Sequence, residues 1–147
     1  LDLYHNPANL FVAGFIGSPA MNFLGGKISG ISDQTIEFEL NNQQKIQIPC
    51  QPGEKAKAGS SAKAGVRPEH LELTGDSDAI LQGKVFAVER LGGETYLYVQ
   101  TEDYKELTVH SSGDKVISVD DLVSIGFSME NCHLFNGQGQ VFDKLAA

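Results

Sequence analysis

The chain has 147 residues, of which 41% are hydrophobic and 8% aromatic, so it is not a disordered chain and can form an ordinary domain with a buried core. Its formal net charge is −8, which argues against a duplex-binding surface, because such a surface needs clustered lysine and arginine. No run approaches the ~18 apolar residues of a membrane span, and we expect no export signal because no charged stretch followed by an apolar one appears in the first residues. Position 1 is Leu rather than Met, so we expect a fragment of a longer protein.

The first predicted element is one short helix over residues 6–17. Asn6 is a suitable N-cap, and Pro7 suits the first helical position because the N–H that proline lacks would have no helical partner there. Apolar residues then recur at helical spacing until a Gly-Ser-Pro stop ends the helix. The stripe and the stop include Phe11, Phe15, Gly17, Ser18 and Pro19.

After this helix the hydrophobic period changes from helical to alternating. Ile36, Phe38 and Leu40 face one way while Glu37 and Glu39 face the other, which is the pattern of a half-buried strand. The 16 glycines are more than a helical bundle tolerates. Further predicted strands include residues 46–48, 96–99, 107–109 and 123–127. The sequence therefore predicts a mainly all-β fold.

Segments of the first half of the chain recur in the second half at an offset that drifts from 57 to 61 residues. The matched segments are 26–28 with 83–85, 35–38 with 95–98, and 65–73 with 126–134. The changes in offset fall between predicted strands, where insertions are tolerated. We therefore expect a linker and helix over 1–22, followed by two β repeats at about 24–78 and 79–147. Chance similarity between two β meanders is the alternative.

No catalytic residue, cofactor-binding loop or metal-ligand set is predicted. The four histidines form no H-E-x-x-H motif, and Cys132 and His133 are adjacent, which on a strand sends their side chains to opposite faces. The phosphate-binding pattern G-x-x-x-x-G-K-[ST] does not occur in the sequence. We expect Cys50 and Cys132 to be reduced buried thiols, with a disulfide as the alternative. The fragment is predicted not to be an enzyme.

A segment rich in Gly, Ala, Ser and Lys separates two of the predicted strands, between residues 51 and 65. Five basic residues lie in it or beside it: Lys45, Lys55, Lys57, Lys63 and Arg67. One interpretation is a solvated loop. The other is a contact for an acidic partner, including an acidic face of a sister domain.

Several strings resemble one protein family in the order in which they occur. LYHNPAN (residues 3–9) and FVAGFIGSPAMNFL (11–24) resemble the junction that follows the nucleotide-binding domain in ATPases of carbohydrate ABC importers. GVRPEHLEL (65–73) is similar to the G-[IV]-R-P-E-H motif of that family, and LGGET (91–95) and CHLF (132–135) resemble its later blocks. The resemblance covers nearly the whole chain.

The resemblance implies a C-terminal regulatory (TOBE/OB-like) domain made of two OB-like β-barrel repeats. It implies a homodimer that holds two ATPase subunits together, contacts with the preceding ATPase domain, and association with the membrane subunits of the transporter through the parent protein. In some members a regulatory protein also binds. ATP and Mg²⁺ would belong to the ATPase domain and not to this chain, whose place would be cytoplasmic, at the inner face of the bacterial membrane. No nucleic acid is expected as a partner.

The resemblance also assigns roles to individual positions. The Phe11–Phe15 helix with Gly17, Ser18 and Pro19 would dock against the ATPase domain, although both phenylalanines would equally suit a core. Met21 and Asn22 would begin the barrel. The four residues with a structural-turn or interface role would be Arg67, Pro68, Glu69 and His70; in the alternative, Arg67 and Glu69 form a local ion pair and His70 packs locally.

Two other functions are compatible with paired OB-like units. The first is a molybdate-type module that binds small oxyanions between subunits, for which a net charge of −8 is unhelpful. The second is a single-strand nucleic-acid binder, which needs a basic groove with stacking aromatics. Tyr96 and Tyr98 would supply the aromatics, but they lie among acidic residues, namely Glu89, Glu94, Glu102 and Asp103.

Overall fold

The computed structural model describes residues 20–112 and 116–145, and it is built mainly of antiparallel strands. The predicted all-β class and its OB-like repeats are confirmed, whereas the predicted helix over 6–17 lies outside the described residues. Among the described residues, no helix has the length and hydrophobicity needed to cross a membrane. The strands are β1 (Asn22–Ser32), β2 (Thr35–Leu40), β3 (Lys45–Pro49), β4 (Ser61–Val66), β5 (Glu72–Leu73), β6 (Ala79–Leu91), β7 (Glu94–Thr101), β8 (Leu107–Ser112), β9 (Leu122–Phe127) and β10 (His133–Asn136).

The strands form two five-stranded sheets with the same topology. The first has the order β10-β4-β1-β2-β3 and the second the order β5-β9-β6-β7-β8. In each sheet a long first strand pairs with the next strand through a tight turn and with the fourth strand on its other side. The internal repeat of the sequence therefore corresponds to a repeat of the sheet.

The fifth strand of each sheet comes from the other repeat. β5 follows β4 in the chain, but it pairs with β9, where Glu72 lies opposite Gly126. β10 follows β9, but it pairs with β4, where His133 lies opposite Gly65. The chain accordingly divides into two compact units, Leu1–Val66 with Met129–Ala147, and Arg67–Ser128. These units differ from the expected repeats, 24–78 and 79–147, because each repeat contributes its last strand to the other sheet.

Each unit has its own hydrophobic interior, as the alternation of the strands requires. In the first unit the buried apolar side chains come from both ends of the chain, since β10 contributes Leu134 and Phe135 beside Leu24 and Phe38. The core of the second unit is made by Leu71, Ala79, Leu81, Val85, Leu97, Val99, Tyr104, Leu107, Val109, Ile125 and Phe127.

The long strands β1 and β6 both carry a β-bulge at the same place in the repeat. The register shifts between Ile28 and Gly30 in β1 and between Val85 and Ala87 in β6, which makes Ser29 and Phe86 the extra residues. A bulge bends its strand and increases the local twist, so it allows a short sheet to curl towards a barrel.

The pairing also corrects one segment of the repeat alignment. Ile28 lies opposite Phe38 in the first sheet, and Val85 lies opposite Val99 in the second, so Phe38 corresponds to Val99 and not to Tyr98. The match of residues 35–38 with 95–98 is wrong by one position. A shift of one residue moves every side chain to the other face of a sheet. Tyr96 and Tyr98 therefore occupy the outward face, where they are half-buried.

Two equivalent glycines let the strands approach closely before each bulge. A Cβ at Gly26 would overlap the carbonyl oxygen of Glu39 and lie 2.6 Å from the ring of Phe38. A Cβ at Gly83 would lie 2.5 Å from Val99 Cγ1 and 2.9 Å from the carbonyl oxygen of Gln100. Neither carbonyl oxygen can move without disturbing the hydrogen bonds between the paired strands. Any side chain larger than that of glycine is therefore excluded at positions 26 and 83.

We expect Gly26→Ala and Gly83→Ala each to lower the free energy of unfolding by about 1–3 kcal/mol, because overpacking a sheet forces backbone shifts. Gly75→Ala is the matched control, since a Cβ there would meet nothing within 4 Å. It should leave stability unchanged or raise it by about 0.4–1 kcal/mol through the unfolded state. Urea unfolding followed by circular dichroism measures all three. Equal stability of Gly26→Ala and Gly75→Ala would contradict the close approach.

Candidate functional site

The Arg-Pro-Glu-His segment forms the turn through which the chain passes from β4 to β5. Arg67 has an extended backbone, and Pro68–His70 follows as one turn of 3-10 helix, with the His70 N–H donating to the Arg67 carbonyl oxygen at 2.9 Å. Proline suits the first turn of a helix because it lacks the N–H that would have no partner there. The Leu71 N–H then donates to the Pro68 carbonyl oxygen at 3.2 Å.

The four residues of this turn differ in their exposure to solvent. Arg67 is only 2% exposed, and Pro68 is also buried. His70 is half-buried, and its Nδ1 atom has no hydrogen-bond partner among the described residues. Glu69 is exposed. Of the four candidate side chains, Glu69 is therefore the one best placed to contact a partner, and Arg67 offers almost no surface.

Met21 and Asn22 lie inside the first unit rather than on its surface. Met21 is 4% exposed and packs against Phe135 of β10. The side-chain amide of Asn22 donates to the Val66 carbonyl oxygen at 3.2 Å and so connects the start of β1 to the end of β4. Phe23 packs edge-on against Phe135, with ring centroids 6.0 Å apart. The remaining candidates, Phe11, Phe15, Gly17, Ser18 and Pro19, lie outside the described residues.

The predicted cysteine chemistry agrees with the structure. Both Cys50 and Cys132 are free and buried. Burial raises the pKa of the Cys50 thiol to about 11, so little thiolate forms at neutral pH and the thiol is a poor nucleophile. The described residues contain no group of three or more His, Cys, Asp or Glu side chains that could hold a metal ion.

A polar cleft of about 400 Å³ lies within the first unit, between the 51–65 loop and the end of β10. Lys55 and Lys57 line it together with hydroxyl and amide groups and the Glu54 carboxylate. The Lys55 ammonium already has partners within the chain: it donates a hydrogen bond to the Val141 carbonyl oxygen at 2.8 Å and lies 5.9 Å from the centre of the Phe142 ring. Of the five predicted basic residues, Lys55 and Lys57 line this cleft, whereas Arg67 is buried and so is not part of a solvated basic loop.

The second unit carries a row of aromatic side chains on the outward face of β6, β7 and β8. Tyr96 contacts His110 edge-on, with ring centroids 5.3 Å apart, and Phe86 contacts Tyr98 at 6.4 Å. The Tyr96 hydroxyl donates to Glu94 at 3.4 Å. We call this surface the tyrosine face and define it by Phe86, Glu89, Glu94, Tyr96, Tyr98 and His110.

Carboxylates on the tyrosine face interact with the tyrosine hydroxyls. The Tyr98 hydroxyl donates to Glu89 Oε1 at 3.3 Å, and Glu94 Oε1 lies 3.8 Å from His110 Nε2. Burial and then the adjacent carboxylate, Glu94 for Tyr96 and Glu89 for Tyr98, raise the pKa of both phenols above its usual value. Both tyrosines therefore remain protonated hydrogen-bond donors at neutral pH.

Beside the tyrosine face, a cleft of about 220 Å³ opens between the Pro68–His70 turn, β5 and β8. Its polar lining includes Glu69, Glu72 and His110, together with Ser111 and Ser112 of β8. No pattern in the sequence groups His110 with Glu69 or Glu94. The proximity of His110 to Glu94 follows from the cross-strand register of β7 and β8, which places Tyr96 opposite His110.

Two family models match the chain in succession, the MalK OB fold domain over residues 17–71 and the TOBE domain over residues 64–135. The maltose/maltodextrin import ATP-binding protein MalK of Yersinia pestis bv. Antiqua (strain Antiqua) is 38% identical over 146 residues, which are 99% of this chain. The chain belongs to the family of MalK-like C-terminal domains. MalK of Salmonella typhi is 39% identical over the same length.

This MalK-like chain spans 39% of the length of those relatives. Among solved structures, the cytoplasmic molybdate-binding protein ModG, in a form with molybdate bound, matches with a TM-score of 0.66. The match covers 77% of this chain and 94% of ModG at 16% identity, so it shows a shared fold. The recognition made from the GFIGSP and RPEH strings is confirmed by the MalK relatives.

We expect Arg67→Ala to lower the free energy of unfolding of this MalK-like domain by about 2–4 kcal/mol, because it removes the packing contacts of a large, fully buried side chain. Arg90→Ala is the matched control, since Arg90 is exposed and should change stability by less than about 0.5 kcal/mol. Urea unfolding of both variants measures the difference. If the two variants are equally stable, Arg67 does not have this structural role.

Proposed function

We propose that this chain is the regulatory and dimerisation domain of the ATP-binding subunit of a sugar (carbohydrate or polyol) ABC importer. The observation that carries the proposal is the match with MalK at 38% identity over 146 residues, through both the OB fold domain and the TOBE domain. In this proposal ATP and Mg²⁺ bind to a preceding ATPase domain, and hydrolysis there drives sugar uptake. These 147 residues hydrolyse no ATP, and they work at the cytoplasmic face of the membrane.

The physical role of such a domain is to keep two ATPase subunits together during their cycle. When two halves separate after hydrolysis, a second contact maintains a high effective concentration, so that reclosing is an intramolecular step. A protein that binds one arrangement of this contact more tightly than the other shifts the cycle by its differential affinity. A β scaffold with two hydrophobic cores suits this task, because it can transmit force without changing its fold.

The candidate residues divide between scaffold and contact roles in this proposal. Met21, Asn22 and Arg67 support the barrels from inside, which agrees with their burial. Glu69 faces solvent and is available to an interface. The Phe11–Phe15 segment with its Gly17-Ser18-Pro19 stop docks against the ATPase domain, and membrane subunits are reached through the parent protein.

A module that binds small oxyanions is the second candidate, and the cleft that contains Lys55 and Lys57 favours it. ModG, which binds molybdate, has the same fold. Two features of the cleft weigh against this function. The Lys55 ammonium already donates to a backbone carbonyl, and the Glu54 carboxylate lies in the same cleft, where it repels an anion. The MalK-type function is therefore the better supported one.

A chimera tests the proposed function directly. The 146-residue segment of Salmonella typhi MalK that matches this chain is replaced by this chain, and maltose uptake is measured in cells that lack their own MalK. We expect the chimera to restore uptake well above MalK truncated before that segment, because the scaffold and the repeat topology are shared. A chimera that accumulates to the level of intact MalK but transports no more maltose than the truncated form would contradict the proposal.

The dimerisation role makes a separate prediction for the purified chain. Light scattering across a concentration series should show a monomer–dimer equilibrium whose dimer fraction rises with concentration. A contact that serves mainly to raise effective concentration need not be tight, so we expect a dissociation constant on the order of micromolar or weaker. A strict monomer at the highest soluble concentration would contradict the dimerisation role of this chain and would mean that the rest of the parent protein forms the dimer contact.

A further inference from the structure

The outward faces of the two sheets can be compared position by position, because the repeats share their register. In the first sheet the bulge residue Ser29 donates to Glu37 Oε1 at 2.9 Å. In the second sheet the equivalent bulge residue is Phe86, which contacts Tyr98, the equivalent of Glu37. A hydrogen-bonded polar pair in one unit is therefore replaced in the other by an aromatic pair, in which Phe86 is exposed and Tyr98 is half-buried.

The charges on these equivalent positions differ as well. Lys45 lies 4.0 Å from the Glu37 carboxylate in the first unit. Its equivalent in the second unit, one position before β8, is Glu106, whose negative charge contributes to the raised pKa of Tyr98. In the first unit the Lys45 ammonium thus lies near the Glu37 carboxylate. In the second unit the position equivalent to Lys45 is occupied by the Glu106 carboxylate.

Within the part of the chain that the structure describes, the carboxylates of the tyrosine face form no ion pair with lysine or arginine. Among the described residues, no lysine or arginine nitrogen lies within 4.0 Å of Glu89 or Glu94, whose contacts are with Tyr98, Tyr96 and His110. The nearby Arg90 follows Glu89 in β6, and its guanidinium lies 3.5 Å from the Thr95 hydroxyl instead.

The charge of the whole chain is concentrated in this unit. Residues Arg67–Ser128 contain 12 acidic and 5 basic residues, a net charge of −7, whereas the remaining residues contain 7 acidic and 6 basic ones, a net charge of −1. A surface of one sign raises the local concentration of ligands of the opposite sign and accelerates their association. Phe86 is 45% and Leu91 55% exposed, so apolar surface accompanies this charge.

We propose that the tyrosine face is a docking surface for an arginine-bearing segment of a partner protein. A guanidinium stacks on a tyrosine ring and can at the same time pair with a carboxylate beside that ring. Tyr96 with Glu94, and Tyr98 with Glu89 of β6, provide this combination twice, with the two tyrosines on adjacent outward positions of β7. The exposed Phe86 and Leu91 cover the apolar part of the same segment.

Other occupants fit this surface less well. A nucleic acid would bring phosphates towards Glu89, Glu94 and Glu106, which repel them. A metal ion lacks ligands, because the described residues contain no cluster of three suitable side chains. A second copy that presented its own tyrosine face would oppose like charges. The partner that fits this surface carries positive charge and can stack on aromatic rings, and arginine is the side chain that does both.

Fluorescence anisotropy with a fluorescein-labelled hexa-arginine peptide, at fixed ionic strength, tests the proposal on the purified chain. Glu89→Gln/Glu94→Gln and Tyr96→Ala/Tyr98→Ala should each weaken binding about tenfold. Glu54→Gln/Glu102→Gln removes two charges elsewhere on the surface and should weaken it about twofold at most. Hexa-lysine should bind several-fold more weakly than hexa-arginine, because an ammonium stacks less well on tyrosine.

The tyrosine double variant is decisive because it leaves the net charge unchanged. Circular dichroism and thermal unfolding of every variant verify that the fold is kept, and Tyr98→Phe with Tyr96→Phe should retain most of the binding, since the ring faces remain. Equal weakening by both charge variants, or full binding by a folded Tyr96→Ala/Tyr98→Ala variant, would show attraction by net charge alone and overturn the proposal. Light scattering adds one further outcome: a dimer that Glu89→Gln/Glu94→Gln abolishes would make a second copy the occupant and overturn it too.

Discussion

The structure depends on one constraint, the reciprocal exchange of the fifth strand between the two repeats. β10 completes the sheet of the first repeat through the pairing of His133 with Gly65, and β5 completes the sheet of the second through the pairing of Glu72 with Gly126. Neither unit can bury its core fully with residues of its own repeat. Since the first unit needs Phe135 against Met21, it is complete only when nearly the whole chain has been made. Contacts of such long sequence separation slow folding and couple the stability of the two ends.

The exchange also explains why the Arg-Pro-Glu-His turn has the composition it has. The chain leaves one sheet at Val66 and enters the other at Glu72, and a 3-10 turn over Pro68–His70 makes the crossing in a few residues. The equivalent crossing in the second repeat is the 3-10 turn Met129–Asn131. Proline fixes the backbone at the first turn, and Arg67 is buried beside it. A motif that looks like a surface signature in the sequence is thus largely a requirement of the fold.

The sequence predicted the β class and the repeat because both depend on local patterns, namely alternation and spacing. It could not predict which residues of β7 face the core. Tyr96-Leu97-Tyr98-Val99 is apolar at every position, so it lacks the alternation of polar and apolar residues that would identify the inward face. The pairing of β7 with β6 determines this: Leu97 and Val99 face the core, and the two tyrosines face outward. The exchange was equally hidden, since β5 and β10 are too short for their sequence to specify which sheet edge they join. The grouping of Tyr96 with His110 depends on that same register.

Duplication of a sheet gives the chain two equivalent surfaces that need not do the same work. The first unit satisfies its outward face internally: Glu37 accepts hydrogen bonds from Ser29 and Gln47, which lower its pKa, and Lys45 lies nearby. The second unit keeps the same backbone, including the bulge and its close-approach glycine, but leaves aromatic rings and carboxylates facing solvent. Because the shared topology holds both faces in the same geometry, the difference between them lies in side chains alone. A surface that its own fold does not require to be aromatic and acidic is best explained by what binds there.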